Sequence, residues 1–116
     1  MISAIIPVFN EAEYLADTLH AIRGIDTDNL VGEIIICDAG STDDSVAIAR
    51  KSGATVIIST LKGRAAQMNA GAAKATSTVL YFLHADTWPS AQFSRLIKNA
   101  IEKGFGAGCF VLSFDH

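Results

Sequence analysis

The sequence predicts an α/β fold, a mainly parallel sheet layered between helices. Three observations carry that expectation. Short apolar, β-branched runs alternate with stretches of helical periodicity along the 116 residues. The strand runs are continuously apolar, as in Ile34-Ile35-Ile36-Cys37 and Val79-Leu80-Tyr81-Phe82-Leu83, which suits strands covered on both faces. Half of the residues are hydrophobic and only 18% are charged, so most elements are expected to be covered rather than half exposed. Strand, helix and strand joined by short connections read as parallel pairs with right-handed crossovers.

Each element has its own signal. Ser3 to Val8 reads as the first strand. In the helix after it, Leu15, Leu19 and Ile22 fall at i, i+4 and i+7 and make one apolar stripe. Asn10 with Glu13 has the form of a capping box at that helix's start, and Gly24 marks its end. Glu33 to Cys37 is the second strand, and the following helix runs to about Lys51 with Ser41 or Thr42 as its cap. Gly53 closes it, and Thr55 to Ser59 is a third strand. Gly63 opens an alanine-rich helix that ends near Ala75, and Val79 to Leu83 is the fourth strand. Pro89 fits the first turn of a fourth helix striped by Phe93, Leu96, Ile97, Ala100 and Ile101. Gly104 ends that helix, and Gly106 to Phe114 reads as a fifth strand, after which the sheet stops.

Composition narrows the function. No apolar run reaches the length of a membrane span, and the N-terminus lacks a signal peptide's basic start and apolar core. Cys37 and Cys109 have no metal-ligand spacing and make no disulfide framework, which fits a reduced, cytoplasmic setting, free or peripheral at the membrane. A net charge of −3 argues against nucleic acid as a partner.

Four segments at predicted strand ends carry more polarity than their strands need, and in open α/β sheets ligands bind at the strands' carboxyl ends. In Pro7-Val8-Phe9-Asn10-Glu11, Pro7 ends the ladder; Asn10 and Glu11 either serve the helix start or face a ligand. In Asp38-Ala39-Gly40-Ser41, Gly40 permits a tight turn and Ser41 suits a cap. Asp38 abuts a buried strand and must be solvated or paired, and the imide N–H of a base is a natural partner. Gly63 and Arg64, beside Lys62 at a helix start, form either a nucleotide site or a solvated basic loop that leads on to Asn69. In His84-Ala85-Asp86-Thr87, strand alternation puts His84 and Asp86 on one side. That pair either makes a structural hydrogen bond or holds a divalent cation, Mg²⁺ or Mn²⁺.

Together these four segments resemble the opening of the family 2 glycosyltransferases, inverting enzymes of the GT-A fold, a Rossmann-like three-layer sandwich. The likeness runs through Ser3-Ala-Ile-Ile-Pro-Val-Phe-Asn-Glu11 and Glu33-Ile-Ile-Ile-Cys-Asp-Ala-Gly-Ser-Thr-Asp43. It continues through Gly63-Arg-Ala-Ala-Gln-Met-Asn-Ala-Gly71 and Leu83-His-Ala-Asp-Thr87, motifs typical of a bacterial subgroup. The resemblance implies a nucleoside-diphosphate sugar, UDP-linked, as ligand. It puts Pro7 and Glu11 along the nucleoside, Asp38 on the base, Arg64 near base and ribose, and Asn69 in the pocket lining. Asp86 matches the last carboxylate of the family's metal motif, for Mg²⁺ or Mn²⁺.

Two departures qualify this match. His84 replaces the first carboxylate of the metal motif, which leaves its own part in a metal site doubtful. Members of the family also run longer, and their later part supplies the acceptor site and the catalytic base. Residues 1–116 are therefore expected to be a donor-binding half with no assignable catalytic base and the acceptor half absent, and its exposed fifth strand invites self-association. The alternative is a nucleotide-binding module without transferase activity. A phosphoacceptor receiver domain fits poorly, because Asn10-Glu11 replaces its acidic pair and no lysine follows Gly106. A nicotinamide-binding Rossmann domain lacks its Gly-X-Gly-X-X-Gly after the first strand.

Overall fold

The computed structural model describes residues 2–61, 63–85 and 93–102. Its elements are β1 (Ile2–Val8), α1 (Ala12–Ile25), β2 (Val31–Asp38), α2 (Ser45–Lys51), β3 (Thr55–Ile58), α3 (Arg64–Lys74), β4 (Val79–Phe82) and α4 (Phe93–Glu102). Lys62, Asp86, Thr87, Pro89, Gly104, Cys109 and the expected fifth strand lie outside the described residues. The four strands form one parallel sheet in the order β3-β2-β1-β4. The chain therefore winds outward from β1 to β3 and then crosses back to lay β4 on β1's other side.

Alternation along β1 assigns its faces. Ala4, Ile6 and Val8 pack with Leu15, Leu19 and Ile22 of α1 and Ala49 of α2 in the larger core, which Ile97 of α4 joins. Ile5 faces the other way, in a smaller cluster with Ile35, Cys37, Ile57 and Ala72 of α3. All seven residues of β1 are buried, as expected of a strand flanked by strands and covered by helices. In α4, Leu96 of the predicted stripe is exposed while Ile97 packs on the core.

Gly71 sets how closely α3 sits on the sheet. A β-carbon there would meet Cys37 Sγ at 2.5 Å and Ile5 Cγ2 at 2.6 Å, closer than side chains pack. Cys37, sealed beneath that helix, has its thiol pushed up to about 11 by burial.

The helix starts differ from their sequence signals. Asn10 does not cap α1: the position at the helix start is Glu11, with no side-chain cap bond. Neither Ser41 nor Thr42 caps α2, which begins only at Ser45 after Asp44. Helix α1 also runs through Gly24 to Ile25, and the Asp26 carboxylate then accepts from the Leu30 and Val31 amides to lead the chain into β2.

Candidate functional site

The carboxyl ends of β1 and β2 are tied together by side chains from the loops that follow them. Asn10 adopts a left-handed backbone (φ 54°), a conformation asparagine tolerates better than most residues. That turn aims its Oδ1 at the β2–α2 loop, where it accepts from the amides of Thr42 (2.8 Å) and Asp43 (3.4 Å). Traffic also runs the other way. The Asn10 amide donates to Ser41 Oγ, the Glu11 amide to Ser45 Oγ, and the Ala12 amide to Asp43 Oδ2. The first amide of α1, Ala12, and the two amides leading into it are therefore satisfied from the β2–α2 connection and the first residue of α2, not by a local capping box. Asp43 also accepts from the Ser45 amide and hydroxyl. The Ser45 hydroxyl, then the Ser45 and Ala12 amides, hold its carboxyl below the usual aspartate range.

Asp38 ends β2 and is 1% exposed. Its Oδ2 accepts from the amides of Gly40 (2.9 Å) and Ser41 (2.8 Å), and its Oδ1 from the Ser41 hydroxyl. Gly40, at φ 92°, supplies the left-handed step that folds those amides back. The carboxylate thus builds the turn that carries Ser41 to Asn10. Pairing answers the cost of burying it, and the pairing comes from its own loop.

From the opposite face α3 contributes Gln67, which is 5% exposed. Its Nε2 donates to the carbonyls of both Val8 (3.0 Å) and Cys37 (2.8 Å), spanning the ends of β1 and β2. The approach to the sequence missed this residue as an individual, because a glutamine inside an alanine-rich helix gives no local sign of its partners. Gly63, at φ 119°, precedes α3, and Arg64 is its first residue, exposed one turn before Gln67 on the same side of the helix. Asn69 is exposed and lies about half a turn around from Gln67, so α3 does not bring it to the strand ends.

The β4 side is built differently. β1 pairs with β4 only from Ile2↔Val79 to Ile5↔Phe82, with one further bond from the Leu83 amide to the Ile5 carbonyl (3.0 Å). In a parallel ladder the next donor to this side is the amide two residues on. That position is Pro7, which has none. Pro7 therefore ends the ladder toward β4 alone, while pairing with β2 continues through Val8↔Asp38. The ladder between the two strands stops above Ile5, where the strand order reverses, the place at which open α/β sheets bind ligands. His84 stands half-buried at this lip, between buried Leu83 and Ala85. The Ala85 carbonyl accepts from the hydroxyl of Thr18 on α1 (2.5 Å). Asp86 is the next residue in the chain.

Among the described residues no group of three or more His, Cys, Asp or Glu side chains could hold a metal ion. These residues make no cage for a resident cation. Mg²⁺, however, is commonly bound through one or two carboxylates with substrate phosphates completing its shell. No helix among the described residues is long and apolar enough to cross a membrane.

A reversal of strand order flanked by two polar loops is where open α/β proteins, as a class, bind their ligands. Comparison with known proteins identifies the family. The model of glycosyl transferase family 2 matches residues 3–115, and the chain belongs to that family. An uncharacterized glycosyltransferase of Rickettsia felis is 44% identical over 57 residues, covering 49% of this chain and 18% of its own length. Glycosyltransferase AglE of Haloferax volcanii is 31% identical over 98 residues, covering 79% of this chain and 32% of its own. The chain thus spans a third or less of these relatives.

Among solved structures, glucosyl-3-phosphoglycerate synthase from Mycobacterium tuberculosis in complex with Mn²⁺, uridine diphosphate and phosphoglyceric acid matches with a TM-score of 0.75. It is 25% identical, over 87% of this chain and 38% of that one. The same enzyme with Mg²⁺ and uridine diphosphate gives 0.74. TarS of S. aureus, at 20% identity and a TM-score of 0.75, shares the fold over 88% of this chain and 32% of its own. The fold is GT-A, Rossmann-like, as the sequence predicts.

Proposed function

We propose that this chain is the donor-binding half of a family 2 glycosyltransferase and holds a nucleoside-diphosphate sugar, UDP-linked, at the carboxyl ends of β1, β2 and β4. The observation that carries the reading is the end of the β1–β4 ladder at the strand reversal, beside two loops already locked to each other. The nucleoside lies along Pro7 to Glu11 and the Asp38-Gly40-Ser41 turn, with Arg64 and Gly63 on the α3 side. Asp38 acts mainly by shaping that turn, since its oxygens are taken by Gly40 and Ser41. Asp86 would hold Mg²⁺ or Mn²⁺ together with the donor's diphosphate, and the cation would neutralise charge growing on the departing diphosphate. The transfer is then a direct displacement at the anomeric carbon with inversion, completed by an acceptor site and a base beyond these residues. The acceptor is left unassigned.

A second reading follows from the 32% coverage of AglE: a nucleotide-binding module that does not itself transfer sugar. Turnover separates the two. Donor hydrolysis or transfer that requires Mn²⁺ and is lost in Asp86→Asn supports the enzyme.

The test of binding is thermal denaturation with UDP, GDP and dTDP, each with and without Mn²⁺. A ligand at a hundred times its Kd stabilises the folded state by about 2.7 kcal/mol, a shift of several degrees for a chain of this size. UDP with Mn²⁺ is expected to give the largest shift. A folded sample that responds to no nucleotide removes the donor-site reading.

A further inference from the structure

We propose that Thr18 is a positioning residue: from inside α1 it fixes the backbone at the carboxyl end of β4 up to Ala85, the residue that precedes the proposed metal ligand Asp86 in the chain. The inference rests on the donor-site reading for its functional consequence, though not for its geometry.

Thr18 belongs to the buried face of α1, among Leu15, Leu19 and Ile22, and is 1% exposed. A threonine inside a helix ordinarily returns its hydroxyl to a carbonyl of the preceding turn. This one instead donates across 67 residues to the Ala85 carbonyl. The bond falls where the sheet stops helping. The last ladder bond on this side is Leu83 to Ile5, and the proline at position 7 removes the next. The tether reaches the peptide group that joins Ala85 to Asp86. Since α1 is itself held at its start by Asp43 and Ser45, this hydroxyl links the lip of β4 to the locked loops on the β2 side. A ligand carboxylate must be held within about 0.5 Å of its working position, and residues packed behind it do that holding.

The experiment compares Thr18→Val, which keeps the shape and loses the hydroxyl, with Thr18→Ser, which keeps the hydroxyl. Thr18→Ala stands in for valine should that variant not fold. Two readouts are taken on the 116-residue chain. The first is amide exchange of the β4 end, Leu83–Ala85, measured without ligand. Valine is expected to speed it about tenfold or more while exchange in β2 stays put, and serine to stay within about twofold of wild type. The second is UDP affinity in EDTA and in Mn²⁺. Valine is expected to leave the EDTA value within about twofold and to cut the gain due to Mn²⁺ by about tenfold, with serine restoring it.

Unchanged exchange at Leu83–Ala85 in the valine variant overturns the proposal. So does a serine variant that behaves like valine, or an equal loss of UDP affinity with and without Mn²⁺, which would mark Thr18 as general support for the fold. If wild type binds no UDP, the donor-site reading fails by itself and the exchange measurement alone decides whether Thr18 sets the end of β4.

Discussion

The two flanks of β1 use the same backbone to opposite ends. Toward β2, pairing runs the full strand to Val8↔Asp38, Gln67 bridges both strand ends, and the loops beyond exchange amide and side-chain bonds through Asn10, Ser41, Asp43 and Ser45. Toward β4, pairing stops at Ile5↔Phe82. Past Leu83, one hydroxyl from α1 holds the strand's exit at Ala85. At the amino ends both flanks are closed together, because Glu33 of β2 accepts from Ser3 of β1 and from Thr76 just ahead of β4. The strand ends on the β2 flank are thus held by backbone pairing and by side chains together.

The contrast is most severely tested under α3. Gly71→Val places side-chain atoms where even a β-carbon meets Cys37 and Ile5 at 2.5 and 2.6 Å. It is expected to cost about 3 kcal/mol or more in urea denaturation and to lift Gln67 from the strand ends. Next in size is Asp38→Ala, which leaves the Gly40 and Ser41 amides without their acceptor. A loss of about 1–3 kcal/mol is expected, with nucleotide binding falling alongside. A stable Asp38→Ala protein that still binds UDP at full affinity would mean the turn is held by other contacts.

Asn10→Ala should cost about 1 kcal/mol, from the lost acceptor and from alanine's reluctance to adopt φ 54°. Asn10→Gly separates the two causes by restoring the backbone without the oxygen. Amide exchange should quicken in residues 41–45 and leave β4 unmoved; equal quickening on both flanks would erase the distinction between them.

The smallest effect concerns the shared base of the two flanks. The Ser3 hydroxyl, then the Thr76 amide, hold the Glu33 carboxyl below the usual glutamate range. A depressed folded pKa means its stabilising contribution is complete above the unfolded value and disappears as pH falls through the folded one. Glu33→Gln should therefore be less stable than wild type at neutral pH, by less than about 1 kcal/mol because the carboxylate meets solvent. The gap should close as urea midpoints are followed down through the acid range. A gap that widens in acid would assign Glu33 the wrong sign.

Periodicity was enough to locate the four described strands and helices, since burial imposes it residue by residue: Leu15, Leu19 and Ile22 had to share a face, and Ile34 to Cys37 had to be covered. The helix starts were misleading for a related reason. Asn10 and Glu13, or Ser41 and Thr42, form local cap patterns, yet the Ala12 and Asp43 amides are met by residues more than thirty positions away and the Ser45 amide by Asp43. Capping is satisfied by whichever oxygen arrives, and only the tertiary fold decides that. Gln67 and Thr18 were hidden more deeply. Each lies in a helix whose pattern is explained without it, and each acts on a carbonyl 59 or 67 residues distant. The motifs pointed to the carboxyl ends of the strands; the side chains that tie those ends together had no motif.

Pro7 has one further consequence. A parted pair of parallel strands is a zipper waiting to close, since each new bond shortens the path to the next. Any other residue at position 7 would offer an amide to β4, and the gap above Ile5 would then compete with its own repair. The ring nitrogen has nothing to offer, so the end of the β1–β4 ladder is written into covalent structure and does not depend on packing alone.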